Sequence, residues 1–375
     1  MTTGPGAVPD VHGPNDAVWD LLVLVALQQG LDEEPDERVE ALRRPDFDHG
    51  RLVEQAMRHG LLAALAHFLH QHGLRRTLPA RLRNPVLSHL LLNRHRARLL
   101  TAEALRVSAG FEAAGIRAAW TKGVVVQSTL YEGTGVRMYN DIDMMIAPAD
   151  RPGALKALTE LGYAPSTRFD PVTQELEKIS RAAERIYQMS PDHLPHAHRL
   201  TADTCVPVVC VDVANSFTWH GCPWQVPVDK VLARIEPTPV EPGTTLPALA
   251  PADMFLFLCL HLFREGWVER TIRTKDVSLA QFADIARQWR RASTVTRQRV
   301  AEETREFGLS APIAWVCAHT DQLFATSMVD ELGLRATATR AWLASAQGSS
   351  GLELCWPGDM ERRLRSGEAP VLSPP

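Results

Sequence analysis

Apolar residues recur every three to four positions along the first part of the chain, residues 14–113. This spacing predicts helices with one buried face, and Gly30, Gly73 and Gly115 stand where such helices would end. Residues 74–85 interrupt the pattern and are expected to break the chain before the last and longest of these helices. We therefore predict an N-terminal helical domain over residues 14–113.

After this region the apolar runs become shorter. The strand candidates are 116–120, 136–147, 196–200 and 206–216, and the helix candidates are 122–133 and 149–163. Short strands that alternate with helices and are followed by further strands predict a mixed sheet with helices packed on it. We assign residues 114–236 to this core, and the expected fold class is α+β.

The remainder of the chain divides by composition. Residues 237–251 are rich in Pro and Thr and are interpreted as a linker. Helical spacing returns over residues 252–347, which are expected to form a C-terminal helical domain. Residues 348–375 are expected to be a loose tail. Residues 1–13 are rich in Gly and Pro, lack the basic segment of a signal peptide, and are interpreted as a flexible leader.

Two acids interrupt the apolar strand candidate at Asp141-Ile142-Asp143. Residues two apart on a strand point to the same side, so both carboxylates project together from the sheet. Like charges at short range disfavour each other's ionised form, and solvent or a divalent cation relieves this. Mg²⁺ takes oxygen ligands, commonly one or two carboxylates together with substrate phosphates. Taken alone, the pair is more typical of an exposed edge strand than of a metal site.

Two further features of the sequence favour a metal site at Asp141 and Asp143. Asp212 lies within the apolar strand candidate 206–216, where a lone acid needs a partner such as a shared cation or a position at the surface. Lys122-Gly123 lies between a predicted strand and a predicted helix. A glycine at a helix start lets backbone N–H groups approach a phosphate, which the helix dipole also favours.

Composition narrows the function classes. The chain has 375 residues, 45% hydrophobic and 22% charged, with a formal net charge of −4, so a long nucleic-acid partner is not expected.

None of the six cysteines forms a C-x-x-C pair, which indicates free thiols. The longest apolar run, residues 254–263, is too short to span a bilayer, and we expect a cytoplasmic protein without membrane partners. The P-loop, H-E-x-x-H and G-x-S-x-G motifs are absent.

Several of these residues together resemble the nucleotidyltransferase superfamily that includes DNA polymerase beta. Within it, the chain is similar to a bacterial branch known as the uncharacterised nucleotidyltransferases, and the likeness covers most of residues 15–300. The matching positions are Lys122-Gly123, Leu130-Tyr131, Arg137, Asp141-Ile142-Asp143 and Gly162-Tyr163.

The resemblance implies nucleotidyl transfer from a nucleoside triphosphate (NTP) with Mg²⁺ or Mn²⁺. Catalysis and metal binding would fall to Asp141, Asp143 and Asp212, and binding of the triphosphate to Lys122, Gly123 and Arg137. Two cations about 3.5–4 Å apart can clamp the attacking and leaving oxygens of an in-line displacement. Asp212 is also a candidate acceptor for the proton of the attacking hydroxyl.

The chain departs from the pattern in two places. The superfamily commonly has Gly-Ser or Gly-Gly where this chain has Lys122-Gly123, although Lys-Gly fits the branch. The branch often has a histidine shortly after the third acid, whereas Asp212 is followed by Val213, Ala214 and Asn215. The second departure bears on the acceptor side of the reaction more than on metal binding.

The resemblance implies an acceptor hydroxyl or phosphate on a small molecule or peptide, as in natural-product tailoring. Two alternatives remain open: a catalytically inactive nucleotide-binding regulator, and a metal-dependent phosphohydrolase. His193, His196 and His198 form a tempting metal cluster, but hydrogen-bonding or solvated roles are more typical, and His196 or His198 is a candidate for the acceptor pocket. His261, on an apolar helix face, is interpreted as a core residue.

Overall fold

The computed structural model describes residues 16–27, 36–189 and 192–375. The expected leader at residues 1–13 and the expected helix end at Gly30 lie outside these ranges. Within them, seven strands form one mixed sheet, and helices precede and follow it along the chain. The predicted α+β class with helical flanks is therefore confirmed.

The elements are numbered in chain order. The helices are α1 (Ala17–Leu27), α2 (Glu37–Glu40), α3 (His49–Arg58), α4 (Leu62–Gln71), α5 (Ala80–Ala113), α6 (Lys122–Tyr131), α7 (Arg151–Glu160), α8 (Arg181–Met189), α9 (Val228–Leu232), α10 (Pro251–Trp267), α11 (Glu269–Thr274), α12 (Leu279–Arg291), α13 (Thr294–Glu306), α14 (Ser310–Phe324), α15 (Met328–Glu331), α16 (Arg340–Leu343) and α17 (Met360–Ser366). The strands are β1 (Ala118–Trp120), β2 (Asp141–Ile146), β3 (Ala164–Pro165), β4 (Thr167–Asp170), β5 (Glu175–Lys178), β6 (Ala197–Leu200), β7 (Val208–Ala214), β8 (Glu236–Glu241), β9 (Thr244–Ala248), β10 (Ser345–Gln347) and β11 (Glu353–Cys355).

The main sheet has the order β3-β6-β7-β2-β1-β9-β8. β2 lies at its centre, parallel to β7 and antiparallel to β1. Asp141 is half-buried at the start of β2, and the five residues that follow it are all buried. The acids of this strand therefore emerge from the middle of the fold, and the exposed-edge interpretation of the D-x-D pair is wrong.

The long helix α5 packs against the sheet and against α4, α6 and α7. Its inner face carries buried residues at helical spacing, including Leu90, Leu100 and Phe111. The helix begins at Ala80, inside the stretch where a break was expected. Pro79 already accepts from the N–H groups of the first turn, and Pro85 removes only one further donor without ending the helix.

The expected linker at residues 237–251 instead supplies two strands of the main sheet. β8 and β9 form an antiparallel hairpin, and β9 joins β1 through the pair Trp120 and Ala248. The hairpin closes at Pro242-Gly243, where Gly243 has a φ of 76°, and Pro-Gly is a strong turn signal. The Pro content was misleading because β8 lies at the edge of the sheet, where a missing N–H is tolerated.

The expected loose tail at residues 348–375 is also structured. β11 pairs with β10, and Ser373 bridges to Cys355. Asp359 caps the N-terminus of α17, and its side chain accepts from the Arg362 N–H. Trp356, Met360 and Leu364 are buried within the core. These scattered apolar residues order the segment although its Gly and Pro content suggested otherwise.

The C-terminal helices surround α10, which is buried along nearly its whole length and packs against α12, α13 and α14. Trp267 stacks on Phe263 at 4.8 Å between ring centroids, and Trp224 meets Trp267 edge-on at 5.8 Å. Both tryptophans therefore take part in the packing around α10. None of the helices in the described ranges is both long and apolar enough to cross a membrane.

Candidate active site

Three carboxylates converge where β2 and β7 run side by side. The parallel register pairs Asp143 with Asp212 and Asp141 with Cys210. Asp141 and Asp143 share one face of β2, and the register brings Asp212 to the same side. One oxygen from each acid lies within 4.8 Å of the other two. The three acids singled out in the sequence therefore meet at one point, which we call the Asp triad.

The turn between β1 and α6 packs directly on the Asp triad. Lys122 Nζ lies 2.7 Å from Asp143 Oδ1. Lys122 and Gly123 have φ values of 29° and 21°, and positive φ is costly for a residue with a Cβ. A Cβ on Gly123 would lie 3.4 Å from both the Asp141 carbonyl oxygen and Asp143 Oδ2. A glycine is therefore suited to this position by its conformation and by the close approach of the acids.

The charges of the Asp triad are only partly balanced. The neighbouring carboxylate of Asp143, together with burial, raises the pKa of Asp141 to about 6. Burial alone would raise the pKa of Asp212, but the contact with His196 and the nearby positive charges of His193 and Lys122 lower it overall. His196 Nε2 lies 3.6 Å from Asp212 Oδ2, and this contact raises the pKa of His196.

One oxygen atom of the Asp triad accepts no hydrogen bond from the residues described. Asp212 Oδ1 is buried and has no hydrogen-bond partner among the described residues. A buried carboxylate oxygen without a donor is costly, and a divalent cation shared by several carboxylates removes that cost. All three candidate ligands are hard oxygen donors, as Mg²⁺ or Mn²⁺ prefers. The residues present therefore fit a divalent metal ion.

Arg137 lies beside the Asp triad and is held by α12. Its Nε donates to Asp284 Oδ2 at 2.9 Å, and its backbone N–H donates to Gln127 Oε1 at 3.0 Å. The Tyr131 hydroxyl donates to the other oxygen of Asp284 at 2.7 Å. Arg137 Nη1 is buried and has no partner in the described ranges. The guanidinium is thus rigidly oriented and keeps one donor group uncommitted.

A cavity of about 620 Å³, which we call the main cavity, opens over the Asp triad. Lys122, Arg137 and His196 line it together with the three acids. Its volume lies within the range typical of small-ligand pockets.

A second, smaller space touches the Asp triad from another side. This side pocket has a volume of about 30 Å³, and Lys122, Asp143 and Asp212 line both spaces. Its remaining walls include Phe217, Trp219, Phe257, His193 and Arg264. Such a volume holds a group about the size of a water molecule or a hydroxyl.

A comparison with models of known protein families identifies the family of this chain. The model of the uncharacterised nucleotidyltransferase family matches residues 45–325, which is most of the chain and includes the Asp triad, Lys122-Gly123 and Arg137. The chain belongs to this nucleotidyltransferase family. Comparison with the curated proteins gives no match.

The residues that carried the resemblance have different structural positions in this nucleotidyltransferase. Tyr131 and Arg137 meet on Asp284, so the L-Y and R positions form one buried cluster. Tyr163 of the G-Y position donates instead to Glu103 Oε2 at 2.8 Å, on the side of the sheet covered by α5. Part of the motif therefore builds the site and part supports the fold.

The three histidines of residues 193–198 do not form a metal cluster with one another. His196 reaches Asp212, whereas His193 Nδ1 contacts Asp192 at 3.2 Å and lines the side pocket. His198 faces Thr167, at 3.4 Å between Nδ1 and Oγ1. The group of possible metal ligands found among the described residues contains only the Asp triad.

His261 and Asp284 were not expected at the site. His261 contacts Glu265 Oε1 at 3.1 Å and lines both the main cavity and the side pocket, so its interpretation as a core residue was incomplete. Asp284 follows Arg137 by almost 150 positions in the chain, and no local pattern connects them. A single Asp on the apolar face of α12 was the only available signal, because a buried acid requires a partner.

Proposed function

We propose that this nucleotidyltransferase is metal-dependent and moves a nucleoside monophosphate from an NTP to a hydroxyl or phosphate of a small-molecule or peptide acceptor, with release of pyrophosphate. The observation that carries the proposal is the Asp triad, in which three carboxylates share one point and a buried oxygen of Asp212 lacks a partner. Membership of the nucleotidyltransferase family supports the reaction class.

Asp141, Asp143 and Asp212 would hold Mg²⁺ or Mn²⁺. When bound, the metal supplies charge stabilisation at the transferring phosphoryl group and at the leaving pyrophosphate. Asp212, which has His196 beside it, would accept the proton of the attacking hydroxyl. The uncommitted Nη1 of Arg137 and the ammonium of Lys122, which both line the main cavity, would bind the triphosphate.

The two spaces around the Asp triad suit an in-line displacement. Attack and departure occur on opposite sides of the phosphorus atom, so the acceptor and the pyrophosphate need separate approaches. The main cavity has room for an NTP, and the side pocket has room for a hydroxyl-sized group. Both spaces reach Asp143 and Asp212. This arrangement supports a small acceptor or the narrow end of a peptide.

The test is to incubate the protein with each NTP, Mg²⁺ and a panel of hydroxyl- and phosphate-bearing metabolites and peptides. Mass spectrometry should show an acceptor that has gained one nucleoside monophosphate, and pyrophosphate should be the second product. Release of inorganic phosphate instead would indicate a phosphohydrolase. NTP binding without turnover across the panel would indicate a regulator. Transfer that survives Asp143→Ala would contradict the role of that residue.

A further inference from the structure

The chain segment before β6 also runs beside β7 and brings His193 to the site. His193 pairs with Ala214 through an isolated antiparallel bridge, and the Leu194 N–H donates to the Val213 carbonyl at 2.9 Å. Residues directly opposite each other on antiparallel chains share a face, and Ala214 shares its face with Asp212. His193 therefore lies on the same face of the sheet as the Asp triad.

Two histidines of this segment face different spaces around the Asp triad. His196 lines the main cavity, and His193 lines the side pocket. Asp143 and Asp212 line both spaces, and His198 lines neither. His193 is therefore the histidine on the side where the proposed function has room for the acceptor group.

Asp192 fixes the orientation of the His193 ring. His193 Nδ1 lies 3.2 Å from Asp192 Oδ2. The side chain of Asp192 is 7% exposed, and its backbone carbonyl accepts from the Asn215 N–H at 2.8 Å. A carboxylate beside Nδ1 favours the tautomer with the proton on that nitrogen. Nε2 of His193 is then left as a proton acceptor, and it has no hydrogen-bond partner among the residues described.

The other basic groups of the side pocket are already close to acids. Besides His193, they are Lys122, His261 and Arg264. Their nearest carboxylates belong to Asp143, Glu265 and Asp192, at 2.7, 3.1 and 3.9 Å respectively. Two acceptor atoms of the lining residues, His193 Nε2 and Asp212 Oδ1, have no partner in the described part of the chain. Such atoms suit a ligand group that donates a hydrogen bond.

The size of the side pocket restricts that group further. Its volume of about 30 Å³ is close to that of one water molecule. A phosphate group, with four oxygens around its phosphorus, is larger. Phe217, Trp219 and Phe257 form apolar parts of the wall, and apolar side chains do not replace the hydration of a phosphate charge. The pocket therefore suits a neutral hydroxyl and not a phosphate.

We propose that the side pocket takes a hydroxyl of the acceptor and that His193 is a catalytic residue that receives the proton of this hydroxyl. In the step, the hydroxyl oxygen forms a bond to the α-phosphorus of the NTP, the bond from that phosphorus to the pyrophosphate oxygen breaks, and the proton moves to His193 Nε2. Asp192 is the positioning residue that holds the ring. This inference rests on the proposed function, since it presumes nucleotidyl transfer at the Asp triad.

His193 and Asp212 have complementary roles in this step. Both line the pocket that holds the hydroxyl. An imidazole is a stronger base than a carboxylate, and a carboxylate that holds a cation is weaker still. The proton that leaves the hydroxyl therefore comes to rest on His193, and Asp212 is left ionised to bind the metal.

The experiment follows pyrophosphate release from the NTP with Mg²⁺ and the hydroxyl acceptor that the panel described above identifies. Calorimetric binding of a non-hydrolysable analogue of that NTP is measured in parallel. General base catalysis contributes about 100- to 10,000-fold, so His193→Gln should lower kcat at least about 100-fold. Analogue binding should change less than about twofold, because His193 lies outside the main cavity. The matched control is His198→Gln, which alters a histidine of the same segment that faces Thr167 and should match the wild type in both measurements.

Two further variants distinguish a catalytic histidine from a structural one. His193→Ala opens space for a free base, and imidazole added in solution should raise its turnover at least about tenfold and leave the wild type unchanged. Asp192→Asn keeps the shape of the side chain and removes the charge that orients the ring. Its kcat should fall at least about tenfold, with the acceptor KM within about threefold of the wild type.

Turnover at the wild-type rate in His193→Gln would overturn the inference and leave the proposed function intact. Transfer by the wild type to phosphates of the panel and to none of its hydroxyls would have the same meaning. Parallel loss of turnover and analogue binding, without rescue by imidazole, would show that His193 only supports the fold. An unchanged kcat in Asp192→Asn would contradict its positioning role. Failure of the wild type to release pyrophosphate with any acceptor would instead overturn the proposed function, and this inference with it.

Discussion

Glu103 and the Asp triad differ in how fully positive neighbours balance the charge of their carboxylates. Glu103 on α5 accepts hydrogen bonds from Arg106, Arg199 and the Tyr163 hydroxyl. Burial would raise the pKa of Glu103, but these donors lower it below its ordinary value. In the Asp triad three acids share the contacts of Lys122 and His196, and the pKa of Asp141 is raised to about 6.

This difference in charge balance distinguishes Glu103, which supports the fold, from the Asp triad, which is suited to bind a ligand. Glu103 has more positive partners than its charge requires, so it contributes to the stability of the native state. In the Asp triad, Lys122 and His196 supply less positive charge than the three acids carry, so the folded protein without metal retains electrostatic repulsion there. Repulsion stored at one buried point indicates a site arranged for a bound cation. Substitutions of the same kind at the two sites should therefore have opposite consequences.

The largest contrast is expected in activity. Asp143→Asn removes a charge that a bound metal requires, and pyrophosphate release should fall at least about 100-fold, since loss of an outer-shell partner alone costs 10–100-fold. The matched substitution Glu103→Gln should retain activity per folded molecule within about threefold, because Glu103 lies outside both spaces that reach the Asp triad. Steady-state pyrophosphate assays check both. A similar loss of activity in Asp143→Asn and Glu103→Gln would contradict the distinction between a metal-binding acid and a structural one.

A second contrast concerns stability without metal. The pKa of Asp141 in the folded state is about 6, above its ordinary value of 3.8. The folded state therefore holds the proton more tightly, and the free energy of unfolding falls as pH rises from about 4 to about 6. Asp141→Asn removes this penalty and should stabilise the protein at pH 8 by about 1–3 kcal/mol, after allowance for solvent screening.

The measurement is denaturant unfolding of the wild type and Asp141→Asn in EDTA at pH 4 and at pH 8. The gain should be present at pH 8 and absent at pH 4. A variant less stable than the wild type at pH 8 would show that Asp141 supports the fold, as Glu103 does.

The smallest effect is expected at Glu103. Glu103→Gln keeps the shape of the side chain and loses the charge that its donors favour, so the protein should lose about 1–2 kcal/mol of stability at pH 7. The folded-state pKa of Glu103 is lowered, so its contribution is present above its ordinary pKa of 4.5 and is lost as pH falls through the folded-state value. Unfolding curves from pH 7 downwards should show the wild type and the variant converging. A constant difference across this range would contradict the charge-based account.

The sequence was informative where a feature depends on neighbouring residues. The alternation around Asp141 and Asp143 predicted a strand with both acids on one face, and β2 has that arrangement. Lys122-Gly123 was predicted to lie between a strand and a helix, as it does, and Lys122 contacts Asp143. Periods of two and of three to four residues are local properties, so a single sequence contains them.

Features that depend on distant residues were not predictable in the same way. The register of β2 against β7, which pairs Asp143 with Asp212, is set by packing across the whole sheet. The partnership of Arg137 with Asp284 joins two separate regions of the chain. The β8–β9 hairpin was misinterpreted because its edge position, which tolerates proline, is a property of the assembled sheet.

The most direct test of the central claim is Mn²⁺ binding to the nucleotide-free protein, followed by electron paramagnetic resonance. The wild type should bind Mn²⁺ in competition with Mg²⁺, and Asp212→Asn should weaken that binding at least about 100-fold, because it removes the negative charge of a carboxylate whose buried Oδ1 has no other partner in the described ranges. Glu103→Gln should bind Mn²⁺ as the wild type does. Equal Mn²⁺ affinity in Asp212→Asn and the wild type would contradict the Asp triad as a metal site.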